Sequence, residues 1–152
     1  MNNFTVSFFG HRKIEDLQQL DECLSPMIKK LIQTKPYVTF LIGRNGEFDE
    51  YAASVIKRAQ RELGKENNEL TLVLPYTVAN LPYYERYYDY ITIPESVDCA
   101  HPKSAITLKN RWMIDQSDLV IFFVKNDVGG AHTAMKYAKK SSKHMINLAN
   151  II

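Results

Sequence analysis

The sequence contains little of what marks several large protein classes. Its 152 residues include two cysteines, Cys23 and Cys99, and carry a net charge of +2. Because no CxxC pair is present, neither a zinc knuckle nor a thioredoxin-type motif is supported. Two isolated cysteines fit a reducing compartment. A net charge this small does not argue for nucleic acid, so we expect no nucleic-acid partner.

Long hydrophobic segments are also missing. The longest apolar run, residues 119–124, is far shorter than the roughly 20 residues that a membrane-spanning helix needs. The first residues show neither a basic n-region nor an apolar h-region, so no signal peptide is expected. The sequence therefore predicts a cytoplasmic protein with no membrane partner.

Most metal and cofactor motifs are absent as well. The sequence has no HExxH, no GxGxxG, no Walker A loop and no GxSxG elbow. The four histidines lack paired-ligand spacing, and we predict neither a metal site nor a bound cofactor. They are His11, His101, His132 and His144.

What the sequence does contain is a regular alternation of strand-like and helix-like segments. Period-2 and fully apolar runs predict strands at 4–9, 37–42, 70–74, 90–93, 119–124 and 145–148. Helical spacing predicts helices at 15–35, 48–63, 103–116 and 131–140, with a kink or break at Pro26. Residues 119–124 are apolar on both faces, as in a central parallel strand.

This alternation is typical of βαβ units. We predict an α/β fold, a Rossmann-like three-layer sandwich with a mostly parallel central sheet, in one domain spanning residues 1–152. In such sheets, ligands bind outside the carboxyl ends of the strands. The loops that follow residues 9, 42 and 124 are therefore the places to look for function.

The first loop is Gly10, His11 and Arg12. Glycine allows the chain to leave the strand tightly, and the arginine fork suits a phosphate. A surface arginine paired with a carboxylate explains Arg12 equally well.

The second loop carries Gly43, Asn45 and Gly46 before a predicted helix. Backbone N–H groups there could turn toward an anion, with help from the helix dipole. A glycine turn with a purely geometric role is the alternative, with Glu47 or Asp49 as the helix cap.

The third loop carries Gly129 and Gly130 directly before a helix, followed by Thr133. Free N–H groups of a first helical turn, together with the Thr133 hydroxyl, could donate to phosphate oxygens. Asn110 and Arg111, on the helix before the apolar strand, are further candidates for ligand contact.

Two other features leave alternatives open. Five tyrosines between residues 83 and 90 could form a subunit contact, a flap on the sheet edge or a stacking surface for a base. The basic stretch at residues 136–144 is a solvated helix face or a patch for a polyanion.

The three loops, in this order, resemble the SLOG superfamily of Rossmann-like proteins, which joins the DprA/Smf proteins, the LOG-type phosphoribohydrolases and YpsA-like proteins. The matching segments are residues 8–12, residues 43–49, and residues 110–118 leading into Gly129 and Gly130. The closest likeness is to small stand-alone members of the YpsA type. The resemblance implies a site for a nucleotide or nucleotide-derived ligand, and homo-oligomers are common in the family.

The resemblance also allows an enzymatic alternative to be tested. LOG-type enzymes contain Pro-Gly-Gly-x-Gly-Thr-x-x-Glu, and the catalytic Glu of that motif aligns with Lys136 here. A lysine cannot stabilise the oxocarbenium-like state of glycosidic cleavage as a carboxylate does. A nucleotide N-glycosidase would therefore need a carboxylate from Glu47, Asp49 or Glu50.

The leading hypothesis is accordingly a sensor or sequestering protein that binds a nucleotide or nucleotide-derived signal. The expected ligand residues are Gly10, His11, Arg12, Gly43, Asn45, Gly46, Asn110, Arg111, Gly129, Gly130 and Thr133. The alternatives are the N-glycosidase and an adaptor that binds protein through its tyrosines.

Overall fold

Six parallel strands form one sheet in the part of the chain that the computed structural model describes, residues 2–98 and 101–152. In chain order the strands are β1 (Asn3–Gly10), β2 (Tyr37–Ile42), β3 (Asn68–Val73), β4 (Tyr90–Thr92), β5 (Leu119–Phe123) and β6 (Met145–Asn147). Every strand pairing is parallel. Cys23 is a free, half-buried thiol, and Cys99 lies outside the described residues.

Helices cover both faces of this sheet. They are α1 (Leu17–Thr34), α2 (Glu47–Leu63), α3 (Leu81–Tyr87), α4 (Glu95–Asp98), α5 (Pro102–Gln116) and α6 (Gly130–Lys140), and a 3-10 turn follows at Leu148–Asn150. In the described ranges, no helix combines the length and the apolar character needed to cross a membrane. The predicted Rossmann-like α/β fold is confirmed, and α3 and α4 are short additions that the sequence pattern did not predict.

The core is divided into two layers by the sheet. On one face, α1 and α2 bury residues such as Leu24 and Ile56 against the strands. On the other face, α5 and α6 bury Met113 and Ala138. Strand β5 lies between β1 and β6 rather than at the centre, yet all five of its residues are buried because helices cover both of its faces.

Helix α1 is continuous through Pro26, so the break expected there does not occur. Proline removes the N–H that would bond to the carbonyl of Glu22, four residues earlier. Both Glu22 and Pro26 are exposed, so water can solvate that carbonyl. The buried stripe of Leu20, Leu24 and Ile28 holds the helix against the sheet on its other side.

The strand order fixes where a ligand crevice can form. The order across the sheet is β4-β3-β2-β1-β5-β6, so the chain progresses in one direction from β1 to β4 and then returns to the other side of β1. The connections that leave β1 and β5 consequently run to opposite faces of the sheet. This topological switch point opens a crevice at the carboxyl ends of β1 and β5.

Close packing between the loop after β1 and the loop after β2 supports one side of that crevice. A Cβ at Gly46 would lie 2.4 Å from the Arg12 Cα, a backbone atom that cannot move away cheaply. The Glu47 N–H donates to the Arg12 carbonyl at 2.9 Å. Gly46 therefore serves to bring the two loops together.

This packing predicts opposite effects for two glycines. Gly46→Ala should lower the free energy of unfolding by about 1–3 kcal/mol, the usual cost of forcing extra atoms into a packed site. Gly130→Ala should leave it unchanged within about 0.5 kcal/mol, because a Cβ there meets nothing within 4 Å. Urea denaturation of both variants measures the difference, and equal effects would contradict the packing role of Gly46.

Candidate functional site

A cavity of about 510 Å³ occupies the switch point between β1 and β5. Its size falls within the range of about 300–1,000 Å³ that is usual for ligand sites. It is lined by Phe9, Gly10, His11, Arg12, Lys13, Glu15, Asn45, Asp49, Ile106, Asn110, Phe123, Lys125, Asn126, Gly129, Gly130 and Ala131. Residues from all three glycine-bearing loops and from α5 therefore meet in one place.

His11 fastens the first loop to the third. Its Nε2 accepts the backbone N–H of Lys125 at 2.7 Å and that of Asn126 at 3.3 Å. Burial, followed by the nearby Lys125 charge, lowers the pKa of His11, which favours the neutral ring that this acceptor role requires. His11 also lines the cavity, so its predicted contact with a ligand stays a prediction, while its Nε2 is occupied by these two N–H groups.

Three exposed cations surround the cavity opening. Arg12 and Lys13 follow β1, and Lys125 follows β5. The Lys125 ammonium lies 5.4 Å from the centre of the Phe123 ring. The cations come from positions more than a hundred residues apart, and the sheet brings them to the same edge.

The N-terminus of α6 is open toward this opening. Among the described residues, a Cβ at Gly129 or Gly130 would meet nothing within 4 Å, and no side chain caps the helix. The first turn of α6 carries no acidic residue. Its free N–H groups and the positive end of its dipole can therefore receive an anion. The Thr133 hydroxyl donates to the Gly129 carbonyl at 3.1 Å.

The N-terminus of α2 is unsuited to an anion. Three carboxylates, Glu47, Asp49 and Glu50, occupy its first turn. Glu47 Oε1 accepts the Ile14 N–H at 2.7 Å, which ties the first loop to this helix. The second loop thus leads into a negatively charged helix end, and the predicted ligand contacts of Gly43, Asn45 and Gly46 stay predictions.

Asp49, which lines the cavity, and Lys109 are a pair of buried ionisable residues that attract each other electrostatically. Their exposed fractions are 6% and 1%. One carboxylate oxygen of Asp49 accepts the Asn45 N–H at 2.9 Å. A Cβ at Gly43 would lie 2.8 Å from the Lys109 Nζ and 3.3 Å from Asp49 Oδ2, so glycine is what leaves room for the pair.

Burial perturbs both members of this pair. Loss of hydration raises the pKa of Asp49 to about 6, and the Asn45 N–H and the Lys109 charge act against that rise. Loss of hydration lowers the pKa of Lys109 to about 8, against the attraction of Asp49. A carboxyl that titrates near neutrality beside a cavity is typical of functional sites.

Asn110 contributes a second polar group to the cavity. It is 9% exposed, and its Oδ1 has no hydrogen-bond partner among the described residues. Buried carbonyl oxygens are nearly always paired in native proteins, so this atom is available to a donor that enters the cavity.

The structure separates the predicted site residues into three groups. Those at the main cavity are Gly10, His11, Arg12, Asn45, Asp49, Asn110, Gly129 and Gly130. Arg111 and Thr133 line a neighbouring pocket of about 90 Å³ with Tyr137, whose ring centre lies 5.1 Å from the Arg111 guanidinium. Gly43, Gly46, Glu47 and Glu50 support the loops without lining either cavity.

Sequence reasoning missed two lining residues, Lys13 and Lys125, and the buried Lys109, which interacts electrostatically with the lining residue Asp49. Lys13 and Lys125 lie one position beyond residues that the strand-end argument already singled out, so the same argument could have found them. Lys109 is harder to find because a lysine on a helix usually faces solvent. Its spacing from Ala105 and Met113, both buried, is the available signal.

The sequence matches no protein-family model and no curated protein. The fold, in contrast, matches solved structures of DNA processing protein A (DprA). The Streptococcus pneumoniae X-ray structure superposes with a TM-score of 0.68 at 13% sequence identity, covering 93% of this chain and 49% of that one. The Helicobacter pylori protein, described for its unique single-stranded DNA binding mode, gives 0.65 at 15% identity, covering 93% and 63%.

These likenesses establish the fold that this chain shares with the Rossmann-like part of DprA, and that fold is consistent with the SLOG resemblance. This chain spans about half to two thirds of the length of those proteins.

The prediction of a nucleotide-like small ligand, with nucleic acid as an improbable partner, is wrong. The finding that overturns it is the match to DNA processing proteins, one of which binds single-stranded DNA. The error about nucleic acid came from the use of net charge. Net charge averages the acidic first turn of α2 with the cations at the cavity opening.

The buried pair predicts an unusual titration. The Asp49 carboxyl should titrate near pH 6 in ¹³C NMR, and Lys109→Met should raise that midpoint because an attractive cation is lost. From about pH 4, where an unfolded aspartate ionises, to about pH 6, the folded chain keeps a proton that the unfolded chain releases. The contribution of Asp49 to the free energy of unfolding therefore falls as the pH rises through this window.

Asp49→Asn is the control for that decline, since it removes the titrating group and should flatten this part of the profile. A midpoint close to 4 in the native protein would contradict the burial of the carboxyl.

Proposed function

We propose that this chain binds single-stranded DNA along the carboxyl edge of its sheet. The observation that carries the proposal is the cavity at the β1/β5 switch point, which combines three exposed cations with an open helix N-terminus. The DprA-like fold, seen in a protein with a single-stranded DNA binding mode, supports the same assignment.

The backbone of the strand would be held at the cavity opening. Arg12, Lys13 and Lys125 supply positive charge, and the N–H groups of the first turn of α6 supply directed donors. The Gly129 and Gly130 backbone is unobstructed, so a phosphate oxygen can approach it closely. The acidic first turn of α2 repels phosphate and so directs the backbone toward β5 rather than β2.

Aromatic side chains extend the proposed path along the same edge. Arg44 follows β2, and its guanidinium lies 5.2 Å from the centre of the Tyr84 ring on α3. Tyr83 packs edge-on against Tyr84 at 5.3 Å and is 62% exposed. Alternating cations and exposed aromatic rings are what single-strand binding surfaces use to hold the backbone and stack bases.

We also propose a more specific family assignment for this chain. The three motifs of the sequence favour a place among the small stand-alone SLOG proteins of the YpsA type, with residues 1–152 acting as one binding domain. Pairing of two copies stays a prediction.

The cations at the opening predict a measurable salt dependence. With three phosphate contacts, the slope of log affinity against log salt for fluorescein-labelled dT12 should be about −2, at about 0.7 per contact. Lys125→Ala and Arg12→Ala should each weaken binding and reduce the slope by about 0.7. Fluorescence anisotropy over a salt series gives both quantities.

Lys139→Ala is the matched control, because it removes the same charge from the last turn of α6, far from the cavity. It should leave the slope unchanged. If it weakens binding as much as Lys125→Ala does, the interaction is diffuse and the proposed path is wrong.

The tyrosines predict a second effect. Tyr83→Ala should weaken dT12 binding by roughly 5- to 150-fold, since one stacked base is worth about 1–3 kcal/mol. Tyr90→Ala should have little effect. Tyr90 is 59% exposed, close to the 62% of Tyr83. It begins β4, however, and so lies toward the opposite edge of the parallel sheet. Equal losses in anisotropy titrations would exclude the path across α3.

A further inference from the structure

The lower part of the cavity is rich in hydrogen-bond acceptors, although its opening is rich in cations. Asp49 enters it from α2 and Asn110 from α5, so the two side chains approach from helices on opposite faces of the sheet. Both are more than nine-tenths buried, and both line the cavity. A phosphate would find repulsion here, so this part of the site suits a different portion of a DNA strand.

Asn110 provides the observation that points to a ligand. Its Oδ1 is buried and has no partner in the described part of the chain. An unpaired buried acceptor is costly, and the cost is recovered only when a donor arrives. An N–H or O–H group that enters through the cavity would supply this donor.

The Asp49 carboxylate can also accept hydrogen bonds in the same cavity. A carboxylate has about four lone-pair positions, and the Asn45 N–H occupies one of them. Lys109, buried next to Asp49, supplies a positive charge that favours the ionised carboxylate. The cavity thus presents two buried acceptor groups, one from α2 and one from α5.

The cavity walls suit a flat ring. Phe9, Phe123 and Ile106 supply apolar surface, and the His11 ring lies edge-on to Phe123 at 6.2 Å between centres. A base that enters between these side chains would direct its Watson–Crick edge toward the acceptors, as proteins that read unstacked bases arrange it.

Only one of the four DNA bases carries two adjacent donors on that edge. Guanine has N1–H next to its 2-amino group. Adenine and cytosine each pair one amino group with a ring-nitrogen acceptor, and thymine places its single N–H between two carbonyls. A base acceptor that faced the Asp49 carboxylate or the Asn110 Oδ1 would be repelled.

We propose that Asp49 and Asn110 select guanine in the bound strand by accepting its N1–H and 2-amino hydrogens. The inference rests on the proposed function, because the phosphates held at the opening deliver the base. In this proposal the acidic part of the cavity distinguishes one base from another, which contacts with the DNA phosphates cannot do.

The test compares dT12 with the same strand carrying one central dG, dA, dC or deoxyinosine, in anisotropy titrations at pH 7.5. The single dG should strengthen binding about tenfold, in line with a bidentate base contact. Deoxyinosine, which lacks the 2-amino group, should lose most of that gain. Preference for dA or dC, or no preference at all, would overturn the inference while dT12 binding keeps the proposed function intact.

Two variants of the first turn of α2 locate the effect. Asp49→Asn should abolish the dG preference and retain or strengthen dT12 binding, because a negative charge is removed. Glu50→Gln removes the same charge from an exposed position outside the cavity and should preserve the preference. Asn110→Ser is the second variant if Asp49→Asn does not fold, and a dG preference that survives in it would exclude this reading of the site.

Free dGMP separates a base read within a strand from a base bound alone. Free dGMP, added at the same concentration as an unlabelled dG strand, should not displace the labelled strand. The reason is that dGMP carries one phosphate and the strand carries several. Competition as strong as that of the strand would overturn the inference, and failure of every strand to bind would remove the proposed function together with it.

Discussion

The reversal of strand order at β1 is the constraint on which the rest of this structure depends. Because β1 pairs with β2 on one side and with β5 on the other, the chains leaving β1 and β5 must diverge to opposite faces. Divergence leaves an unfilled crevice in an otherwise close-packed molecule. The lining residues of the three loops gain their proximity from this one topological event, although the loops lie far apart in the sequence.

Opposite electrostatic characters are segregated within that crevice. The opening carries Arg12, Lys13 and Lys125 in contact with water, whereas the interior carries Asp49 and Asn110 away from it. Exposed cations act over a Debye length and are weakened by salt, but buried acceptors act only at contact and are screened little. The exposed cations would therefore attract a DNA strand, and the buried acceptors would discriminate among its bases.

Much of the fold could be predicted from the sequence because it rests on local periodicity. The apolar stripe Ala52, Ile56 and Ala59 predicts the buried face of α2, and the run at 119–124 predicts a doubly covered strand. The strand-end rule also placed Gly10, Arg12 and Gly129 at the correct edge. What could not be predicted depends on contacts between distant segments, such as the His11 acceptor, the Glu47 tie to Ile14 and the burial of Lys109. No local pattern encodes these contacts.

The buried pair also has a consequence for how this sequence can change over time. Replacing Asp49 or Lys109 alone leaves an uncompensated charge in the interior, which is strongly unfavourable. A shorter residue at 109 would, in turn, release the space that now requires glycine at Gly43. Positions 43, 49 and 109 are therefore expected to vary as one unit among related proteins, and a relative that has lost the lysine should have lost the aspartate as well.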